Sequence, residues 1–240
     1  MTRPLVMLVE DDPSIARFVA VALEELPIEL LVCGSVEEAW PVLQAHAVAM
    51  VITDLMLPGA SGLDLLRQLR ESSRPEAGTL PVAVFSAGLS ADVLQELQAA
   101  RVFRVLSKPV SVVDLEACVR EAVGLGAGGV GVPAAAAGDV PQDVERHAIE
   151  AYFAGDEALF AAYKASCLAQ FSHDIAQADA AVQSQDAPAL RRVAHSLKSV
   201  LLTLGRDADS ATARALEAAA ASGDMPMAVS HWSGLRQRLG

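Results

Sequence analysis

Five short apolar runs, "LVMLV", "IELLV", "VAMVIT", "PVAVFS" and "VFRVL", recur between residues 5 and 106 with amphipathic stretches between them. No other feature narrows the fold of this chain as much. Each run is continuous rather than alternating, so it reads as a strand covered on both faces. The stretches between them read as helices, the clearest placing Ile15, Phe18, Val19, Ala22, Leu23 and Leu26 along one stripe. Ser35, Ser90 and Ser111 stand where N-caps would start later helices, and Pro41 is expected to kink the second helix. Five β-α units imply a doubly wound parallel sheet, with its ligand site beyond the carboxyl ends of the strands.

The pattern stops at "GLGAGGVGVPAAAAGDVPQ", residues 124–142, where six glycines and two prolines carry neither a helical nor a strand period. This composition marks a flexible join between residues 1–123 and 143–240. Its root-mean-square reach is roughly 25 Å, enough to hold the flanking domains at an effective concentration of about millimolar. The second half is rich in alanine, has almost no β-branched runs, and reads as helices at about 142–154, 156–186, 188–205, 207–222 and 226–238. Pro188 is a natural start, and Gly205 and Gly223 are natural stops. The fold class is therefore α/β followed by an all-α helical bundle.

A net charge of −12, with no cluster of Lys and Arg, speaks against nucleic acid and against anionic membranes as partners. No run approaches the ~20 apolar residues of a membrane span. The N-terminal "MTRPLVMLVEDD" is too short in its apolar part for a signal peptide and ends in three acids. Cys33, Cys118 and Cys167 are widely spaced and apolar in context, as expected of free thiols in a reducing cytosol. A cytoplasmic protein is expected. No glycine-rich nucleotide loop appears, so any ATP must be spent by another protein.

Parallel strands would gather Glu10, Asp11 and Asp12 from the first, Asp54 from the third, Ser86 from the fourth and Lys108 from the fifth at one edge. Carboxylates so crowded repel one another, and a hard divalent cation such as Mg²⁺ would keep them ionised together. A carboxylate can attack phosphorus, while a hydroxyl and an ammonium hold the oxygens of the arriving phosphoryl group. The plainer reading, that these acids end strands and cap helices, stays open for Asp12 before Pro13.

"LVEDDPSIARF", "DLMLPGASGLDLL", "FSA" and "SKP" together resemble the receiver domain of bacterial two-component response regulators, a flavodoxin-like fold, over roughly residues 4–123. The resemblance implies Asp54 as phosphoacceptor, and Glu10 and Asp11 as metal-binding acids joined by the backbone carbonyl of Met56. It also implies Ser86 and Lys108 as the residues that contact the phosphoryl group. Val105 stands where many receivers carry an aromatic switch residue, and Phe103 is out of register with that position.

In the second half, Leu190, Val193, Leu197, Val200, Leu201 and Leu204 form a helical stripe. His195 is turned to the side opposite Val193 and Leu197, so it is expected to face water, with Lys198, Ser199 and Leu202 on its face. "HSLKSVLLTLG" resembles the H-x-L-K-G signature of histidine phosphotransfer (HPt) domains, four-helix bundles, over about residues 141–238. That implies His195 as the phosphorylated residue and Lys198 as the cation that balances its charge, with Ser199 where the family usually has glycine. The whole chain then reads as a phosphorelay protein whose partners are a sensor histidine kinase and other receiver or HPt domains. The alternative is a phosphorylation-gated receiver whose bundle docks on a kinase without carrying phosphate. A DNA-binding regulator is disfavoured by the acidic second half, which lacks a basic recognition helix.

Overall fold

The structure is a computed structural model that describes residues 3–72, 74–86, 89, 91–126 and 144–240. Most of the expected linker, from residue 127 on, lies outside the described residues, as does the expected cap Ser90. The chain divides into two compact units, Met1–Pro133 and Ala134–Gly240.

The first unit runs β1 (Leu5–Val9), α1 (Pro13–Ala22), β2 (Glu29–Cys33), α2 (Val36–Ala45), β3 (Val48–Asp54), α3 (Gly62–Glu71), α4 (Pro75–Thr79), β4 (Val82–Ser86), α5 (Ala91–Ala99), β5 (Arg104–Ser107) and α6 (Val112–Ala122). All strand pairs are parallel, in the order β2-β1-β3-β4-β5. The apolar runs are buried on both faces because side chains alternate along a strand. Met7, Val9, Val51, Val82 and Val84 share a core with Leu43, Leu65 and Leu97 from α2, α3 and α5. Their neighbours Val6, Leu8, Ile52, Ala83 and Phe85 are also fully buried, on the other face.

Local chemistry fixes the helix starts. Asp12 caps α1 by accepting from the N–H groups of Ser14 at 2.7 Å and Ile15 at 3.2 Å, so the capping reading of this acid holds. Ser35 and Ser111 cap α2 and α6 as expected, and Ser61 with Asp64 forms a reciprocal capping box on α3. Helix α2 runs on through Pro41 from Val36 to Ala45. The short α4 carries too few turns to show a period in the sequence.

The described residues of the second unit form α7 (Val144–Phe153), α8 (Glu157–Ser184), α9 (Ala187–Thr203), α10 (Asp207–Ala221) and α11 (Met225–Leu239). Helices α8 to α11 follow one another with short turns, and α9 packs against both α8 and α10. This is a four-helix bundle, with α7 laid against α8 and α9. Asp156, Asp186 and Asp224 cap α8, α9 and α11. Phe153 of α7 meets Phe160 edge-on with centroids 5.3 Å apart, and Cys167, Phe171, Leu190, Leu197, Leu216 and Trp232 continue the core.

Gly205 ends α9 with φ +75°, and a Cβ there would sit 2.8 Å from the Val144 carbonyl oxygen at the start of α7. Gly223 ends α10 with the same φ but in open space. Alanine at Gly223 is therefore expected to cost only the left-handed backbone penalty, about 1–2 kcal/mol. Alanine at Gly205 should cost about 1–3 kcal/mol more for the clash. Urea unfolding followed by the buried Trp232, in a Trp40→Phe background, measures both; equal costs would mean that α7 is not held at Gly205.

Candidate functional site

The strand order reverses between β1 and β3, and the polar residues gather at that crevice. Glu10 and Asp11 follow β1, Asp54 ends β3, Ser86 ends β4 beside it, and Lys108 follows β5, whose last residue Ser107 pairs with Ser86. The Lys108 ammonium lies 2.8 Å from Glu10 Oε2 and 2.8 Å from Asp54 Oδ2, with its side chain 3% exposed. It also sits 5.7 Å from the centroid of the Phe85 ring. The Met56 N–H donates to Asp54 Oδ1 at 3.2 Å. Val105, at the expected switch position, is a half-buried β5 residue paired with Val84 and packed against the sheet core.

Three acids, Glu10, Asp11 and Asp54, crowd around one ammonium, and Glu10 and Asp54 are buried. Burial pushes Glu10 up to about 8; Lys108 pulls it down, and the Asp54 and Asp12 charges add to the rise. Desolvation and the Asp54 charge raise Asp11 as well. Burial opposes the Lys108 charge, but Glu10 and Asp54 outweigh it and raise its pKa. Glu10, Asp11 and Asp54 can each offer an oxygen, all within 4.8 Å of one another. A hard divalent cation fits this donor set, because it binds oxygen and relieves the excess negative charge. A groove beside Glu10 and Asp11, lined by Pro13, Arg17, Val32 and Gly34, leads away from this corner.

Gly62 was not singled out by sequence reasoning. A Cβ there would lie 2.0 Å from the Asp54 carbonyl oxygen and 2.9 Å from Thr53 Oγ1. The first residue of α3 thus packs directly on the end of β3 and holds Asp54 in place. Its signal in "DLMLPGASG" is the second glycine, eight residues after the aspartate.

In the second unit His195 is not exposed as expected; it is 7% exposed, and Lys198 and Ser199 are buried with it. A single apolar stripe marks a helix with one packed face, whereas α9 is covered by α8 and by α10. Glu217 of α10 supplies the contact that the sequence reading missed. Its Oε1 lies 2.7 Å from His195 Nδ1 and its Oε2 lies 2.5 Å from the Lys198 ammonium. A carboxylate only accepts, so Nδ1 carries a proton toward Glu217, and Nε2 is the nitrogen turned away from it. Burial alone would raise the Glu217 carboxyl, but hydrogen bonds from His195 and Lys198, and then their charges, hold it down at about 2. The available signal was a lone acid in "ARALEAAAAS".

A carboxylate and an imidazole are both side chains that can take a phosphoryl group as nucleophiles. Residues 6–120 match the family model of the response regulator receiver domain, and residues 162–240 match that of the Hpt domain. The chain joins a receiver domain to an Hpt domain. It is 36% identical over 123 residues to the response regulator Rre1 of Synechocystis, covering 50% of this chain and 52% of that protein. It is 32% identical over 109 residues to the sensory/regulatory protein RpfC of Xanthomonas campestris, covering 45% of this chain and 15% of that one. A response regulator receiver protein from Pseudomonas putida aligns with 50% of this chain and 98% of its own, at 28% identity and a TM-score of 0.47. The chain thus spans about half the length of Rre1 and a smaller part of RpfC. Among the described residues, no helix is long and apolar enough to cross a membrane.

Two outcomes follow from these contacts. Gly62→Ala should destabilise the first unit by about 1–3 kcal/mol, because backbone rather than a flexible side chain must yield; urea unfolding followed by Trp40 fluorescence would show it. Glu217 is held below its ordinary value, so its stabilisation is complete above about pH 4.5 and is lost as pH falls toward about 2. The stability gap between the natural protein and Glu217→Gln should therefore be constant above about pH 5 and shrink through that window. A gap that does not change with pH would show that the carboxylate is not stabilised by its two donors.

Proposed function

We propose that Asp54 accepts a phosphoryl group and that His195 carries one, exchanging it with a receiver aspartate in this chain or in another. The observation that carries the reading is the Nδ1 to Glu217 hydrogen bond, which leaves Nε2 as the nucleophile. The Nε2 lone pair attacks phosphorus of an aspartyl phosphate as the bond from phosphorus to the carboxyl oxygen breaks, returning that electron pair to the aspartate. The ring keeps its Nδ1 proton and gains positive charge, which Glu217 balances. His195 is buried, so a phosphoryl donor reaches Nε2 only when the side chains over it give way.

At the other site Asp54 is the attacking carboxylate, and Lys108, already beside it, neutralises incoming phosphoryl oxygens. Glu10, Asp11, Asp54 and the Met56 carbonyl would hold Mg²⁺, which supplies positive charge to those oxygens when bound. Ser86, at the adjacent strand end, is the hydroxyl that receives a phosphoryl oxygen. The partners by this reading are a sensor histidine kinase, which spends the ATP, and receiver or Hpt domains, all in the cytoplasm.

Intact mass after incubation with Mg²⁺ and acetyl phosphate tests the relay. Alkali-labile phosphate that is lost in Asp54→Ala, together with acid-labile phosphate that is lost in His195→Ala, is expected. Phosphate that resides on Asp54 and never on His195, even with a phosphorylated receiver as donor, would reduce the bundle to a docking module.

A further inference from the structure

Among the described residues two buried side-chain polar atoms have no hydrogen-bond partner, and both lie on α9: His195 Nε2 and Ser199 Oγ. Buried polar atoms are nearly always paired, so an orphan calls for an explanation. These two stand four residues apart and so share one face of the helix, a turn from each other. Helical Cα–Cβ bonds tilt toward the N-terminus, which leans Ser199 over the turn that carries His195.

Three other helical hydroxyls in this unit donate to the carbonyl four residues back. Ser184 does so at 2.8 Å, Thr203 at 2.9 Å and Thr212 at 3.0 Å. The buried Ser210 instead donates across to the Lys198 carbonyl at 2.7 Å. Ser199 makes neither kind of bond, so its donor is unspent. Lys198, the nearest cation, is already tied to Glu217.

A phosphoryl group on Nε2 would satisfy both orphans together: the nitrogen through its bond to phosphorus, the hydroxyl by donating to one of three new acceptor oxygens. We propose that Ser199 binds the phosphoryl group of phosphorylated His195 through this hydrogen bond and so lengthens the lifetime of the phosphohistidine. The assignment rests on His195 as the phosphorylated residue. It is particular to this chain, because the glycine usual at this position has no hydroxyl to donate.

The full chain is charged with phosphoramidate and Mg²⁺, the donor is removed, and the metal is chelated so that phosphate cannot return to Asp54. Decay of acid-labile phosphate is then followed by intact mass in the natural protein, Ser199→Ala and Ser199→Gly. Both variants are expected to lose the phosphohistidine about tenfold faster, the scale of one hydrogen bond to a charged group. Agreement between them would assign the effect to the hydroxyl, since alanine keeps Cβ and glycine removes it. Unchanged decay in Ser199→Ala, with His195-dependent phosphate present, would overturn the role of the serine alone. Absence of acid-labile phosphate from the natural protein would overturn the reading of His195 along with it.

Discussion

The first unit is organised around one ammonium that serves two buried carboxylates. Lys108 can lie between Glu10 and Asp54 only because β1, β3 and β5 run parallel and end at the same edge. A buried charge that loses its partner is severely penalised, so the strand order and this charge arrangement hold each other in place. Burial above all holds the Glu10 carboxyl up, with the neighbouring Asp54 and Asp12 charges adding to the rise.

The second unit inverts the arrangement, with one carboxylate serving two nitrogen groups. Glu217 takes a hydrogen bond from His195 through one oxygen and from Lys198 through the other. The consequence is chemical as well as structural: Nδ1 is engaged with the carboxylate, and Nε2 is turned away from it. In both units the group next to the acceptor is oriented from a different element of the chain, so neither site exists in an isolated helix or strand.

Much of this was legible in the sequence because its signals are local. Continuous apolar runs and helical stripes located strands and helices to within a few residues, and N-caps such as Ser35 and Ser111 marked where helices begin. Asp54 and Lys108 could be paired in advance because a parallel sheet has one carboxyl edge. Glu217 could not, because it reaches His195 across 22 residues and from a second helix, in an alanine-rich stretch whose period points to no particular neighbour. Gly62 left only a second glycine after the aspartate as its trace, since its role is the absence of a side chain against a carbonyl.

The sequence by itself determined which residues share a strand end or a helix face, since covalent spacing and backbone geometry decide that. It put His195, Lys198 and Ser199 together on α9 and the acids together at the sheet edge. The tertiary structure decided what covers those faces. It turned the expected exposed surface of α9 inward against α10, because burial depends on how many neighbours a helix has, and that number is not encoded in its own periodicity.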